Sequence, residues 1–433
     1  MKVTVSDVNS WKKQIDVEVT LEEVQPLIED AYKKFQKKAK IEGFRKGKVP
    51  LGMVKQRFGE AVKYDAVEDI IQYFYIKAVT ENDVDMIAPG TIKDVSSIDE
   101  DPFKFSAEVE VEPEIKVSNY KGLKVKKEVI KVTDEDVDGT VDYLRQQKAV
   151  FEDVEGPIEA GYVIQVNIQA TDENAVPIIG EKWDNRFFEL GAPPFGKELE
   201  TQMVGVKLNE SKHVHLMHTE KNAEGKEEEK EYFYDLTVTK IQTKTLPELS
   251  DEFAQGFGEF KTMDEMEERI RSNQEAQQED DAEKALRQQL ADEIIRKNDF
   301  ELPPSMVNNA IDRMWEDQKK RPNQTLTEDQ FRHGYRSMAE WNIKWHLIWR
   351  QIAVQEELKI EDADLQEAID KMVEAQPEQE KRLRSLYKRD EYKNRLSDNL
   401  LEEKVMTFIK ENGKIKESKI DRPKEKESSI ITS

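Results

Sequence analysis

The chain has 433 residues, of which 36% are charged and 37% hydrophobic, and its formal net charge is −24. A chain of this length is expected to hold about three domains, and its polarity favours modest cores with much surface. It contains no cysteine, which excludes disulfides, thiolate metal sites and a cysteine nucleophile. The net acidity argues against general binding to nucleic acid or to membranes. No apolar run reaches the length of a signal peptide or a membrane span, so a cytosolic protein is predicted.

The first 112 residues are predicted to form an α+β unit. Apolar and polar residues alternate from Ile15 to Val19 and again from Phe103 to Val111, as in half-buried strands. A helix is expected between them, with Pro26 in its first turn and its end near Lys40.

Two further helices are predicted in this unit. A short one should cover Leu51–Phe58 and end at Gly59, and a longer one should carry Ala66, Ile70, Phe74 and Ala78 on one face. This order places the loop around residues 43–50 between two helices.

That loop combines two glycines, a proline, a phenylalanine and three cations. Its sequence is Gly43-Phe44-Arg45-Lys46-Gly47-Lys48-Val49-Pro50. Glycine permits tight turns and proline restricts the residue before it, so the side chains of Phe44, Arg45 and Lys46 are expected at an exposed tip. A large ring among cations suits a surface that is polyanionic and also has an apolar or stackable spot, such as a ribonucleoprotein.

The charge around the loop differs in sign from that of the whole chain. From Ala31 to Tyr64 there are eleven basic residues and two acids, a net +9 that leaves −33 for the remainder. The alternative is a solvated helix face on which basic residues predominate by chance, but the chemistry of the loop and the charge around it both indicate a contact with an anionic surface. A local contact with an anionic surface is therefore predicted.

The rest of the chain divides by pattern into three segments. Residues 113–149 read as a connector, extended from Ile115 to Val132 and then helical, with Thr133 and Asp136 at capping-box spacing. Residues 150–245 alternate as β-strands near both ends and contain a charged hairpin tip at Lys221–Lys230.

Residues 246–433 have helical patterns with narrow apolar stripes. Thr262 with Glu265 and Thr327 with Gln330 have capping-box spacing. Narrow stripes predict helices paired in arms without a thick bundle core. The polar tail from about Asp421 is predicted to be disordered.

The loop at residues 43–50 resembles the ribosome-docking signature of bacterial trigger factor, the chaperone at the peptide tunnel exit. In that family the matching Phe-Arg-Lys tip contacts a ribosomal protein and nearby rRNA. The resemblance covers nearly the whole chain, including Leu246-Pro247-Glu248-Leu249, Glu356-Glu357-Leu358-Lys359 and Leu400-Leu401-Glu402-Glu403. It implies an α+β multidomain protein with three parts: an N-terminal ribosome-binding domain, an FKBP-like antiparallel β domain, and an elongated all-α C-terminal body with two arms that packs with the connector.

The resemblance implies ribosome-binding residues Gly43, Phe44, Arg45, Lys46, Gly47, Lys48 and Pro50. It implies an ATP-independent chaperone that holds nascent polypeptides, and it leaves open whether the free protein forms a weak homodimer. No phosphate-binding Gly-x-x-x-x-Gly-Lys-Ser/Thr loop is present, and no cofactor is expected.

The prolyl isomerase pattern of the family is eroded in this chain. The family has Asp-Phe on an early strand, where this chain has Asn167-Ile168, and Pro-Gly-Phe where this chain has Lys197-Glu198-Leu199. Catalysis of this type needs an apolar, water-poor pocket, and a charged Lys197-Glu198 inside it would be desolvated at a cost of several kcal/mol. We therefore expect a vestigial prolyl pocket at Ile168, Leu199 and Tyr234 that has lost its activity, although an alignment shift could restore an aromatic such as Phe195.

Three histidines form the only metal-like pattern. His213, His215 and His218 could place two imidazoles on one strand face. There is no cysteine, no carboxylate pair is expected nearby, and a hairpin location is expected, so surface histidines and no metal are predicted.

Three tryptophans recur at helical spacing. Trp341, Trp345 and Trp349 share one face, and the preferred interpretation is a packing seam between helices. The alternative is an exposed ridge for unfolded clients, to which Met314 and Met338 could add adaptable contacts.

Two other functions remain open at this stage. One is an active prolyl isomerase with chaperone appendages, and the other is a stand-alone RNA-binding or assembly protein that uses only the basic island.

Overall fold

The computed structural model describes residues 1–40, 42, 44–45, 47–193, 195–221, 227–321 and 326–422, with the backbone alone at 218–221 and 227–229. The chain divides into two units. One comprises Met1–Lys127 and Glu283–Ser418, and the other comprises Glu128–Ala282 and the chain from Lys419 onward. The predicted disorder of the tail concerns residues that lie almost wholly outside the described ones.

The strands are β1 (Lys2–Asp7), β2 (Lys12–Val19), β3 (Thr91–Lys93), β4 (Phe103–Glu110), β5 (Lys124–Ile130), β6 (Val150–Asp153), β7 (Val163–Thr171), β8 (Pro177–Glu189), β9 (Ser211–Lys221), β10 (Glu227–Thr245) and β11 (Lys414–Ile420). The helices are α1 (Leu21–Lys38), α2 (Leu51–Glu81), α3 (Asp134–Gln147), α4 (Gly196–Met203), α5 (Asp251–Gln255), α6 (Met263–Lys297), α7 (Pro304–Gln318), α8 (Glu328–Gln355), α9 (Asp362–Ala375), α10 (Glu380–Leu386) and α11 (Asp390–Glu411). The mixture of helices and antiparallel sheets confirms the predicted α+β multidomain class.

The N-terminal part of the first unit is an antiparallel sheet covered by two helices. The strand order is β1-β2-β4-β3, and the inward residues of β2 and β4 are almost fully buried, as their alternation predicts. α1 and α2 close the core from one side through Val24, Ile28, Ile70 and Phe74.

Two predicted helix boundaries in this part are wrong. α1 begins at Leu21 and contains Pro26 in its interior, because the Glu23 carboxylate accepts the Thr20 N–H at 3.3 Å and secures the earlier start. Pro26 has no N–H to donate to the carbonyl of Glu22, four residues earlier. Both residues are exposed, so this carbonyl faces solvent.

α2 runs through Gly59 as one helix of 31 residues. The Tyr32 hydroxyl donates to the Gly59 carbonyl at 3.2 Å and lies 3.6 Å from where a Cβ at Gly59 would be, so a small residue fits this contact between α1 and α2.

The C-terminal helices of the first unit are built around one shared core. Buried residues of α6, α8 and α11 meet Val125 of β5 and Leu123 just before that strand. This cluster is thicker than the paired arms that the stripes predict, since four segments contribute to it. The segment is also not entirely helical, because β11 pairs with β5.

The second unit contains the predicted antiparallel β domain. Its strand order is β6-β10-β7-β8, and β9 also pairs with β10. β10 is 19 residues long and bonds β9 along its first half and β6 at its end. The predicted hairpin tip between β9 and β10 lies largely outside the described residues. No helix within the described ranges is long and apolar enough to cross a membrane.

Candidate functional site

The loop between α1 and α2 is held at both ends and exposed in the middle. Ala39 and Val49 are 5% and 0% exposed, and the Gln36 side-chain amide donates to the Val49 carbonyl at 2.6 Å. Gly47 has φ +77°, a conformation that favours glycine.

A tight turn presents the residues between these anchors. The Lys48 N–H donates to the Arg45 carbonyl at 2.9 Å, and Phe44 is 39% exposed beside an exposed Arg45. Phe44, Arg45, Gly47, Lys48 and Pro50 are thus placed on one loop, as predicted. Gly43 and Lys46 lie outside the described residues.

Most of the described cations around this loop have no ion pair with a described acid. Lys33 pairs with Asp30 at 3.0 Å, and Lys55 and Lys63 pair with Glu29 and Asp99. Those contacts lower the pKa of the Glu29 carboxyl and raise the pKa of the Lys63 amine. Seven exposed cations in the described part of the island have no ion pair with a described residue: Lys34, Lys37, Lys38, Lys40, Arg45, Lys48 and Arg57. Unpaired cations around an exposed ring can neutralise several phosphates at once.

A large groove lies on the outer side of α2. It encloses about 1210 Å³ between α2 and the segments at 89–92 and 96–99. Ile71 and Tyr75 form part of its floor, and Tyr64 and Ile76 on its rim are 83% and 55% exposed. Exposed apolar side chains next to a concavity are typical of surfaces that bind other proteins.

The second unit contains an aromatic pocket of about 530 Å³. Ile168, Leu199 and Tyr234, the three residues predicted for a prolyl pocket, all line it. Its other lining residues are Trp183, Arg186, Phe188, Phe195, Leu216 and Leu236. The Trp183 and Tyr234 rings are 6.4 Å apart edge to face, and the Phe188 and Phe195 rings are 6.0 Å apart. The size and lining are those of a pocket for an apolar group.

Lys197 and Glu198 do not line this pocket, so the sequence argument that they bring charge into it is wrong. Lys197 is exposed on the outer side of α4, and the Glu198 carboxylate accepts the Met217 N–H at 3.2 Å. Only Leu199 of this run lines the pocket. One turn of helix carries the two charged side chains away from the lining, which a linear motif comparison does not show.

The Asn167 side chain accepts a backbone hydrogen bond that a carboxylate at this position could also accept. Its Oδ1 accepts the Asn185 N–H at 2.9 Å, at a bulge of β8 where Asn185 has φ +57°. Asn167 provides an acceptor without a charge at the position where the family pattern has Asp.

The sequence analysis missed Trp183 and Phe188 because of this bulge. Trp183 pairs with Ile168 and Phe188 pairs with Ile164, so six residues of β8 match five of β7. The extra residue breaks the period-2 alternation by which strand faces are recognised.

His213 and His215 lie on the face of β9 opposite the buried Val214 and Leu216. His213 Nδ1 is 2.8 Å from an Asp235 carboxylate oxygen, and His215 Nε2 is 3.4 Å from a Glu231 oxygen. Carboxylates therefore do lie nearby, contrary to the sequence argument. No group of three potential metal ligands occurs among the described side chains, which do not include His218.

The tryptophans contradict an exposed client ridge. Trp345 and Trp349 are 6% and 2% exposed within the core of α6, α8 and α11. Trp341 is partly buried, and its indole N–H donates to Asp292 at 2.7 Å. Of the two methionines, Met314 packs partly buried against the α7–α8 cluster, and Met338 is 44% exposed.

Comparisons with known proteins agree along the whole chain. The family profile described as bacterial trigger factor protein matches residues 1–144, and that of the trigger factor C-terminus matches residues 262–411. A trigger factor of Geobacter sulfurreducens is 30% identical over 94% of this chain and 97% of its own. One of Trichlorobacter lovleyi is 32% identical over 84% and 85%. A solved trigger factor chaperone structure shares the fold, with a TM-score of 0.54 at 21% identity over 94% of this chain and 99% of that one.

Proposed function

Because this chain belongs to the bacterial trigger factor family, a family of ribosome-associated chaperones, we propose that it docks on the ribosome through the loop at residues 39–50 and holds nascent chains there. The observation that supports the docking site is the exposed Phe44–Arg45 tip, which lies between two buried anchors. Six further exposed cations of the island have no ion pair with a described residue. Its site of action is then the cytoplasm, where ribosomes translate.

The mode of docking follows from the chemistry of the tip. Lysines and arginines release counterions when they contact phosphates, so binding should weaken steeply with salt. Phe44 adds an apolar contact suited to a protein or a base at the same place. The acidic remainder of the chain is repelled by rRNA, which restricts contact to the island.

Client binding is assigned to shallow apolar surfaces. The groove along α2 and the exposed side chains of Met338 and Val354, which are 44% and 71% exposed, offer apolar contacts without a specific pocket. Many weak contacts suit diverse clients with fast release.

A pelleting assay tests the docking site. Phe44→Ala/Arg45→Ala/Lys46→Ala should abolish co-sedimentation with ribosomes, because both the ring and two cations at the tip are removed. The matched control, Tyr143→Ala/Lys381→Ala/Lys388→Ala, removes an exposed ring and two exposed lysines outside the basic island and should pellet like the unaltered protein. Undiminished pelleting of the loop variant with unchanged circular dichroism would refute the site.

A second function is favoured by the aromatic pocket of the β domain. We propose that it binds prolyl or other compact apolar side chains of clients, and that isomerisation there is weak because Asn167 stands where the family pattern has Asp. An active prolyl isomerase is the alternative, and the intact aromatic lining supports it more than the sequence did.

A further inference from the structure

The two-stranded sheet of β5 and β11 presents a second cationic surface. Lys124 and Lys126 on β5 and Lys414 and Lys416 on β11 are exposed. On β5 they alternate with the buried Leu123 and Val125, so the two lysines share the outer face. These four residues are called the lysine quartet below.

The register of the two strands places the four lysines in facing pairs. The Lys414 N–H donates to the Leu123 carbonyl at 2.7 Å, and the Lys131 N–H donates to the Ile420 carbonyl at 2.9 Å. The first bond joins the two strand starts and the second joins the two ends, so the strands run in the same direction. Lys124 then lies opposite Lys414, and Lys126 lies opposite Lys416.

This arrangement brings like charges together without compensation. Directly opposite residues are about 5 Å apart and alternate residues of a strand about 7 Å apart. Within the described ranges none of the four lysines has an ion pair, whereas neighbouring Lys121 pairs with Glu356 at 2.6 Å. Glu128, the next outward residue on β5, marks the end of the surface.

Protection of the sheet edge does not account for the quartet. A single charged residue blunts an edge strand, and facing lysines add repulsion that lowers stability. The repulsion disappears when a negatively charged partner lies across both strands.

From this geometry we infer that the lysine quartet binds an extended acidic polypeptide segment. Acidic side chains at alternate positions of an extended chain are about 7 Å apart, which matches the lysine spacing along each strand. A segment with two or more such acids can therefore contact both rows at once.

RNA suits this surface less well than an acidic peptide. Single strands are bound by cations together with aromatic stacking platforms. Two rings of this core, Tyr120 and Phe408, lie under the Lys121 ammonium at 5.6 and 5.1 Å. A long polyanion would also extend over a chain that carries −24 overall, whereas a short acidic segment stays on the quartet.

The inference goes beyond ribosome docking, because none of its residues belongs to the loop at residues 39–50.

The test uses the full chain and three labelled probes in fluorescence anisotropy at low salt. They are a twelve-residue peptide alternating Glu and Thr, the same peptide with Gln for Glu, and an RNA duplex of matched charge.

The Glu–Thr peptide should bind more tightly than the Gln–Thr peptide. Changing all four lysines to Gln should weaken its binding about tenfold, since four exposed charge pairs are lost. The control Lys297→Gln/Lys359→Gln/Lys381→Gln/Lys388→Gln has the same change in charge at exposed lysines elsewhere and should change binding less than about twofold.

Three results would overturn the inference: equal loss in both variants, no preference for Glu over Gln, or tighter binding of the RNA duplex that the quartet variant abolishes. Ribosome pelleting of the quartet variant should stay unchanged, which separates failure here from failure of the docking site. If the fourfold variant does not fold, Lys124→Gln/Lys414→Gln removes one facing pair of lysines and should still weaken binding of the Glu–Thr peptide.

Discussion

At the scale of single residues, Asn167 shows how one side chain can serve structure and chemistry separately. Its oxygen accepts the Asn185 N–H and so stabilises the bulge that brings Trp183 and Phe188 to the same pocket. An Asp could accept the same hydrogen bond and would add a charge near the pocket.

A substitution at Asn167 separates the two roles. Asn167→Asp should leave the thermal midpoint nearly unchanged and raise prolyl isomerisation in a protease-free peptide assay. Asn167→Leu removes the acceptor and should destabilise the β domain by about 1 kcal/mol.

Tyr234→Ala serves as the comparison for the pocket, because it removes one aromatic wall without touching the bulge. It should weaken binding of proline peptides. Clear turnover by the unaltered protein that Tyr234→Ala abolishes would contradict the proposal of weak activity.

At the scale of secondary-structure elements, α8 holds the C-terminal core together. Trp345 and Trp349 fill the space between α6 and α11, and the Trp345 indole donates to Glu402 at 2.7 Å. The hydrophobic surface of these rings is therefore used in packing and is not available to clients.

Trp349→Ala should lower the free energy of unfolding by about 3–5 kcal/mol, because a large cavity replaces a buried ring. Urea unfolding followed by circular dichroism measures the change. Met338→Ala on the exposed face of the same helix is the control and should shift stability by less than about 0.5 kcal/mol. A small effect of Trp349→Ala would restore the client ridge as an interpretation.

At the scale of the whole molecule, ion pairs between α6 and α11 make stability depend on pH. Glu283 of α6 pairs with Lys410 of α11, and Glu403 of α11 pairs with Arg287 of α6. Lys410, together with Lys127 and Arg287, holds the pKa of the Glu283 carboxyl below its usual range, and Arg287 does the same for Glu403.

The direction of the pH effect follows from these depressed pKa values. Just below the ordinary glutamate pKa, the unfolded chain binds more protons than the folded chain. The contribution of these two ion pairs to the free energy of unfolding is therefore present above about pH 4.5 and is lost as pH falls through the pKa of the folded state. Urea midpoints measured from pH 7 to pH 3 should therefore fall.

Glu283→Gln should be less stable than the unaltered protein at pH 7 and should show a shallower fall with acid, because the group can no longer titrate. Glu391→Gln, at an exposed carboxylate of α11 with no ion pair in the described part of the chain, should follow the unaltered curve. Parallel curves for all three proteins would exclude a role for this network.

Local chemistry determined much of this protein from its sequence alone. Strand alternation located β2 and β4, and the capping pairs of α3, α6 and α8 lie where the spacing predicts, because these signals depend on neighbours a few residues apart. The loop at residues 39–50 belongs to the same class, since its glycines and proline predict a turn between two helices.

The tertiary structure alone decided the features that depend on residues far apart in the chain. The extra residue in β8 directs two aromatics into one pocket, the partners of α8 bury the tryptophans, and β11 pairs with a strand almost 290 residues earlier. The facing lysines follow from that last pairing. Each of these depends on a register or a packing partner, and neither is contained in the periodicity of a single segment.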